Sequence, residues 1–90
     1  MVKVLLPSIL CDVTGKRQVF IASGTMKEVI DRMVEKYGIP LKEKMFDQEG
    51  ELIRFWQIFV NGVNIHLLDY LETKVQEGDQ IAILPAVGGG

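Results

Sequence analysis

The stretch from Thr25 to Tyr37 carries the strongest helical pattern in the chain, and it leaves the remainder little choice of fold. Thr25 followed by Glu28 is a capping box, in which each side chain satisfies a free backbone N–H at the helix start. Met26, Val29, Ile30, Met33, Val34 and Tyr37 then recur at helical spacing, while Lys27, Glu28, Asp31, Arg32, Glu35 and Lys36 fill the opposite face. The two methionines read as core filler. Gly38 is placed to take the left-handed conformation that ends a helix, and Pro40 to prevent its resumption. One amphipathic helix cannot bury its stripe against itself. The flanking segments must supply the other layer, and they read as strands.

Val2 to Leu6 is rich in strand formers, Thr14-Gly15-Lys16 supplies turn residues, and Gln18 to Ala22 is a second extended run, which together predict a hairpin. After the helix, Leu41 to Phe46 has the spacing for one further helical turn before Asp47-Gln48-Glu49-Gly50 breaks the chain. Phe55 to Val60 returns to a strand pattern. Asn61-Gly62 is a two-residue hairpin signal, since both positions tolerate positive φ, and the return strand is short, around Val63 to Ile65. Leu67 to Val75 reads as an irregular crossing segment, and Glu77-Gly78-Asp79 turns the chain into a last strand, Gln80 to Leu84. The sum is α+β: a small mixed sheet covered by one main helix. A hairpin, a crossing helix and further strands is the β-grasp plan, with the first and last strands parallel side by side.

Ninety residues, 48% of them hydrophobic, suffice for one modest core and no second one. Residues 1–84 are taken as the domain and 85–90 as a flexible C-terminal glycine tail. A net charge of −2 with no basic stripe argues against nucleic acid and anionic membrane surfaces as partners, and in favour of proteins. Val4-Leu5-Leu6 is cut by Pro7 and is too short for a signal core or a membrane span. Cys11 is the single cysteine and cannot form an internal disulfide, which suits a reducing cytoplasm. We expect a soluble cytoplasmic protein.

Side chains offer no persuasive active site. Nothing near Cys11 in sequence lowers its thiol pKa, and the lone histidine, His66, lies in a distant segment. The two do not make a metal set. Asp47, Glu49 and Glu51 sit in a turn, where carboxylates are normally solvated. The glycine run lacks the lysine and the following helix of a phosphate loop. What remains is the terminal carboxylate of Gly90. Gly88, Gly89 and Gly90 have no Cβ, so such a tail threads a narrow channel in another protein and leaves its carbonyl open to a nucleophile. A carboxylate is a poor electrophile and needs ATP-driven activation, which a partner enzyme must supply.

Strand alternation adds a docking surface. In Phe55 to Val60 the phase Trp56, Ile58, Val60 is uniformly large and apolar and should face the helix, placing Phe55, Gln57 and Phe59 on the open face. In the last strand Ile81 and Ile83 are the better core pair, so Gln80, Ala82 and Leu84 should point outward. Phe59 and Leu84 are thus expected as apolar side chains on the solvent side, near the departure of the tail.

The run Gly78-Asp79-Gln80-Ile81-Ala82-Ile83-Leu84-Pro85-Ala86-Val87, closing in Gly89-Gly90, resembles the C-terminus of the ubiquitin-like sulfur carriers of the MoaD/ThiS/CysO family. The resemblance extends over essentially the whole chain. Pro7-Ser8-Ile9-Leu10, Ala22-Ser23-Gly24 and the strand from Arg54-Phe55 to Asn61 look most like CysO and CysO-like MoaD relatives, and Gly88 fits the variable small residue before the family's two glycines. The resemblance implies a β-grasp protein whose terminal glycine is adenylated by a ubiquitin-activating-type enzyme and converted to a thiocarboxylate. It implies an acceptor enzyme as second partner, either a pyridoxal-phosphate cysteine synthase or the large subunit of molybdopterin synthase. Both partners bury the tail, which makes Pro85, Val87, Gly88 and Gly89 partner-binding residues beside Phe59 and Leu84. The chain itself would hold no cofactor and no metal and would not be an enzyme. An alternative use of the same carboxylate is an isopeptide bond to a lysine, as in ubiquitin-like protein modifiers.

Overall fold

The computed structural model describes residues 1–86. The elements in chain order are β1 (Val2–Leu5), α1 (Ser8–Thr14), β2 (Gln18–Ile21), β3 (Gly24–Thr25), α2 (Met26–Tyr37), α3 (Ile39–Met45), β4 (Trp56–Val60), β5 (Val63–Asn64), β6 (Lys74–Val75) and β7 (Gln80–Pro85). Five strands form one sheet in the order β2-β1-β7-β4-β5. The first and last strands, β1 and β7, are its parallel pair, with Val4 opposite Ile81. β7 therefore lies at the centre, antiparallel to β4 on its other side. This is the β-grasp arrangement anticipated from the segment order.

One face of the sheet is closed by α2. Val2, Val4, Val19, Ile21, Trp56, Ile58, Val60, Ile81 and Ile83 point inward against Met26, Val29, Ile30 and Met33, all buried. Each such side chain contributes about 1.5–3 kcal/mol by leaving water, so the strand phase is strongly fixed. A slip of one residue in β7 would expose Ile81 and Ile83 together. The capping box at Thr25 is present in full: the Glu28 N–H donates to Thr25 Oγ1 at 3.2 Å and the Thr25 N–H to Glu28 Oε1 at 2.9 Å.

Four expectations need correction. β1 and β2 pair antiparallel, but through a helix rather than a tight turn. α1 follows Pro7 and buries Leu10, and Thr14-Gly15 is its C-terminus: Gly15, at φ 73°, donates its N–H to Cys11 O at 2.7 Å. The inserted helix places Leu10 fully in the core. Gly38 has positive φ (80°) with an extended ψ of −164°, so it redirects the chain rather than ending α2 in the left-handed conformation. Pro40, instead of preventing a helix, lies in the first turn of α3, where its missing N–H costs nothing. α3 contributes Leu41 and Met45 to the core, and its Lys44 carbonyl accepts the indole N–H of Trp56 at 2.8 Å. Finally, the crossing segment is not wholly irregular. It is entered through a 3-10 turn, Ile65–Leu67, which ends the return strand at Asn64, and it contains a second, Tyr70–Glu72, and β6, which pairs with β3 in a second small sheet.

No helix among the described residues is long and apolar enough to cross a membrane.

Candidate functional site

The expected working end of the chain begins where β7 leaves the sheet. β7 outruns its expected end at Leu84 by one residue, with Pro85 opposite Trp56, and the Ala86 N–H still donates to Phe55 O at 2.6 Å. A proline is tolerated there for a specific reason. Alternate residues of β7 bond toward β4, so the missing N–H of Pro85 would face β1, whose pairing with β7 stops at Leu5 opposite Ala82. Val87, Gly88, Gly89 and Gly90 lie outside the described residues.

The inward and outward phases of β4 and β7 are as expected. Trp56, Ile58, Val60, Ile81 and Ile83 are buried, whereas Gln57, Phe59, Ala82 and Leu84 lie on the open face. Phe59 stands opposite Ala82 and Leu84 opposite Gln57, which makes Phe59 and Leu84 diagonal neighbours within reach of large side chains. Leu84 is 47% exposed and Phe59 is half-buried. Leu5, on the other side of Ala82, and the exposed Phe55, beside Ala86, extend the apolar surface along the route of departure. Phe55 was placed on the open face from the sequence, but its bond to Ala86 was not legible there.

The register that sets this geometry is locked at the far end of the strands. Asn61 and Gly62 both have positive φ (49° and 85°), as the two-residue turn requires. Sequence alone marks Asn61 only as a turn former; the fold gives it a second task. Its Oδ1 accepts the Gln80 N–H at 2.9 Å, its Nδ2 donates to Asp79 Oδ1 at 3.0 Å, and its own N–H donates to Gln80 O at 2.8 Å. Asp79 also accepts the Gln76 N–H at 2.8 Å. That backbone bond, and then the Asn61 amide, hold the Asp79 carboxyl below its ordinary value. A depressed folded-state pKa contributes stability above the unfolded-state value, and the contribution is lost as pH falls through the folded one. Asn61→Gly keeps the positive φ and removes only the side-chain bonds. It should cost about 1 kcal/mol in denaturant unfolding and raise the Asp79 midpoint in a carboxyl NMR titration. An unmoved Asp79 midpoint would contradict the lock.

The remaining chemistry-bearing residues are not brought together. The half-buried Cys11 points its thiol at Leu6 O, 3.7 Å away, and His66 stacks on Tyr70 with ring centroids 4.9 Å apart. Among the described residues no group of three or more His, Cys, Asp or Glu is placed to hold a metal ion.

Comparison with known proteins agrees with this geometry. The ThiS family model matches residues 4–90. The chain is 37% identical over 92 residues to the sulfur carrier protein CysO of Mycobacterium tuberculosis, covering 99% of this chain and 98% of that one. Its fold superposes on a chain of the Amycolatopsis orientalis BexX/CysO complex with a TM-score of 0.86 at 34% identity, covering 100% of both chains. It superposes on the small archaeal modifier protein 1 of Methanosarcina acetivorans with a TM-score of 0.84 at 34% identity, covering 99% of this chain and 95% of that one.

Proposed function

The chain belongs to the ThiS family of ubiquitin-like sulfur carriers, and from that membership we propose that its working group is the carboxylate of Gly90. It is a carrier and not an enzyme in its own right. The observation that carries the reading is the extent of the family match, which runs to the final glycine. The proposed chemistry needs two steps. The Gly90 carboxylate attacks the α-phosphorus of ATP on an adenylating partner, displacing pyrophosphate and forming an acyl-adenylate. Hydrosulfide then attacks the carbonyl carbon, a C–S bond forms, the C–O bond to phosphate breaks, and AMP leaves with the thiocarboxylate as product. No electrons are gained or lost.

The loaded tail then enters an acceptor enzyme of cysteine or molybdopterin synthesis. Phe59, Leu84 and Pro85 hold the partner at the base of the tail, and Val87, Gly88 and Gly89 occupy its channel. That a CysO chain forms a complex with BexX supports recognition of this fold by a partner protein. Intact mass after incubation with adenylating enzyme, ATP and sulfide is the test. Exchange of one oxygen for sulfur is expected, for Cys11→Ser as for the parent chain. A folded Cys11→Ser chain that never gains the sulfur mass would move the chemistry to the thiol.

The likeness to small archaeal modifier protein 1 favours a second reading, in which the same activated carboxylate forms an isopeptide bond with a lysine. The same mass measurement separates the two, since a conjugate appears as a larger covalent adduct.

A further inference from the structure

β2 is an outermost strand of the sheet and pairs only with β1. Two backbone bonds fix which of its residues face outward: the Leu6 N–H donates to Arg17 O at 2.8 Å, and the Lys3 N–H to Asp79 O at 3.1 Å. Bonded pairs alternate along an antiparallel ladder, so the first bond makes Val4–Val19 and Val2–Ile21 the bonded pairs and leaves Lys3–Phe20 and Leu5–Gln18 exchanging none. The second bond agrees, since it turns the Lys3 backbone toward β7. Gln18 and Phe20 therefore direct their N–H and C=O groups away from the sheet, and both residues are exposed, Phe20 at 52%. Val19 and Ile21, the buried pair, spend theirs on β1.

This edge is closed at both ends by side chains. Before it, Thr14 Oγ1 accepts the Lys16 N–H at 3.2 Å and donates to Lys16 O at 2.8 Å. After it, Arg32 Nη1 donates to Ala22 O at 3.0 Å and to Ser23 O at 2.8 Å. What stays without a strand partner among the described residues is the N–H and C=O of Gln18 and of Phe20. The surroundings are basic. Residues 13–27 carry Lys16, Arg17 and Lys27 and no acidic residue, within a chain of net −2. Lys27 is paired with Asp31, but Lys3, Lys16 and Arg17 have no ion-pair partner among the described residues. Lys16 and Arg17 are exposed, and Lys3 stands opposite Phe20 on the open face. The flanking acids are Asp12 on α1 and Glu28 on α2, and Glu28 is already engaged by the Thr25 N–H at 2.9 Å. An unpaired strand edge calls for an extended segment, Phe20 for apolar side chains, and the unpaired cations for carboxylates.

We propose that the outer edge of β2 binds an extended segment of a partner protein as an added strand, with apolar residues beside Phe20 and aspartate or glutamate beside Lys16 and Arg17. A second copy of the chain is the poorer occupant. Its own β2 satisfies the same backbone groups but brings the same cations and no carboxylate, so positive edge meets positive edge. β2 lies two strands from β7, and a segment held there leaves Phe59, Leu84 and the tail uncovered. The proposal is therefore independent of the reading of Gly90.

The test is an amide NMR titration of the full chain with a capped hexapeptide, alternating threonine and valine over four residues and ending in two aspartates, against the same peptide ending in two lysines. The acidic peptide should bind at least about 10-fold more tightly, with shifts centred on Gln18 and Phe20. Hydrogen exchange reads the strand phase directly. At saturation the Gln18 and Phe20 amides should exchange at least about 10-fold more slowly, while those of Val19 and Ile21, already bonded to β1, should not change. K16Q/R17Q should weaken binding about 10-fold, and it leaves the backbone bonds of both residues in place. A peptide N-methylated at alternate residues on its pairing edge should not bind. Equal binding of the two charges, no binding, protection at Val19 and Ile21 in place of Gln18 and Phe20, or undiminished binding of the methylated peptide would each overturn the proposal. So would protection of Gln18 and Phe20 that grows with protein concentration before any peptide is added, because the occupant is then another copy.

Discussion

Removal of Gly89 and Gly90 should abolish sulfur loading and leave folding intact. Among the described residues the core cluster ends at Ile83 and the last backbone bond of the β4–β7 ladder is made at Ala86, so thermal unfolding should shift by no more than about 0.5 kcal/mol in free energy. The loss of loading is a matter of reach. Two residues of extended chain span about 7 Å, and a carboxylate held that far short of the α-phosphorus cannot attack it. Catalysis by positioning tolerates errors of about 1 Å only at a cost near 100-fold, so the expected result is no detectable loading. The measurement is intact mass with adenylating enzyme, ATP and sulfide, beside a thermal melt. A truncated chain that gains sulfur at its new terminus would end the proposal for Gly90, while a chain that fails to fold would show that the terminal glycines belong to the core.

Much of this fold was legible because its decisive patterns are local. The α2 stripe with its capping box, the Asn61-Gly62 turn and the inward phases of β4 and β7 each follow from residues within a few positions of one another. What escaped depends on distant partners. α1 is short and buries mainly Leu10, so its helical signal is weak, while the glycine after it mimics a hairpin turn. Pro40 is ambiguous in principle: the same ring that breaks a helix interior is favoured in a first turn, and only the reorientation at Gly38 decides which applies. β3 and β6 are two residues each and exist because the segments before α2 and before β7 meet in space. At the base of the tail the residue types were readable, but the Phe55–Ala86 bond and the tether from Asn61 to Asp79 and Gln80 are products of register.

Gly24 shows how close that second sheet sits to α2. A Cβ at this position would lie 2.8 Å from Glu28 Oε1 and 2.9 Å from Arg32 Nη1. The Arg32 guanidinium in turn donates to the carbonyls of Ala22 and Ser23, at 3.0 and 2.8 Å. The helix that covers the sheet is thus tied to the link between β2 and β3 by its own polar face. The tie sits on the helix side, away from the face of β4 and β7 on which Phe59 and Leu84 stand.

Truncation of Phe59 or Leu84 to alanine should cost about 2 kcal/mol of affinity for the adenylating enzyme, close to a 30-fold loss, with little loss of stability. The two side chains are diagonal neighbours on the open face, and β7 runs on from Leu84 to its end at Pro85. A partner that takes the tail into a channel must cover this surface, because the chain leaves the sheet beside it. Neither residue belongs to the buried core, so Leu84→Ala should change stability by at most about 0.5 kcal/mol and the half-buried Phe59→Ala by somewhat more. Phe20 provides the control. It lies on the open face of β2, opposite Lys3 and 52% exposed, two strands away from β7. Phe20→Ala should leave affinity unchanged if binding is centred on the tail, whereas ordinary surface hydrophobicity would make all three substitutions alike. Affinity and thermal unfolding measured together decide the matter. Unchanged affinity for both Phe59→Ala and Leu84→Ala would remove the docking role, and unfolding in place of weakened binding would mean that these side chains hold the fold rather than the partner.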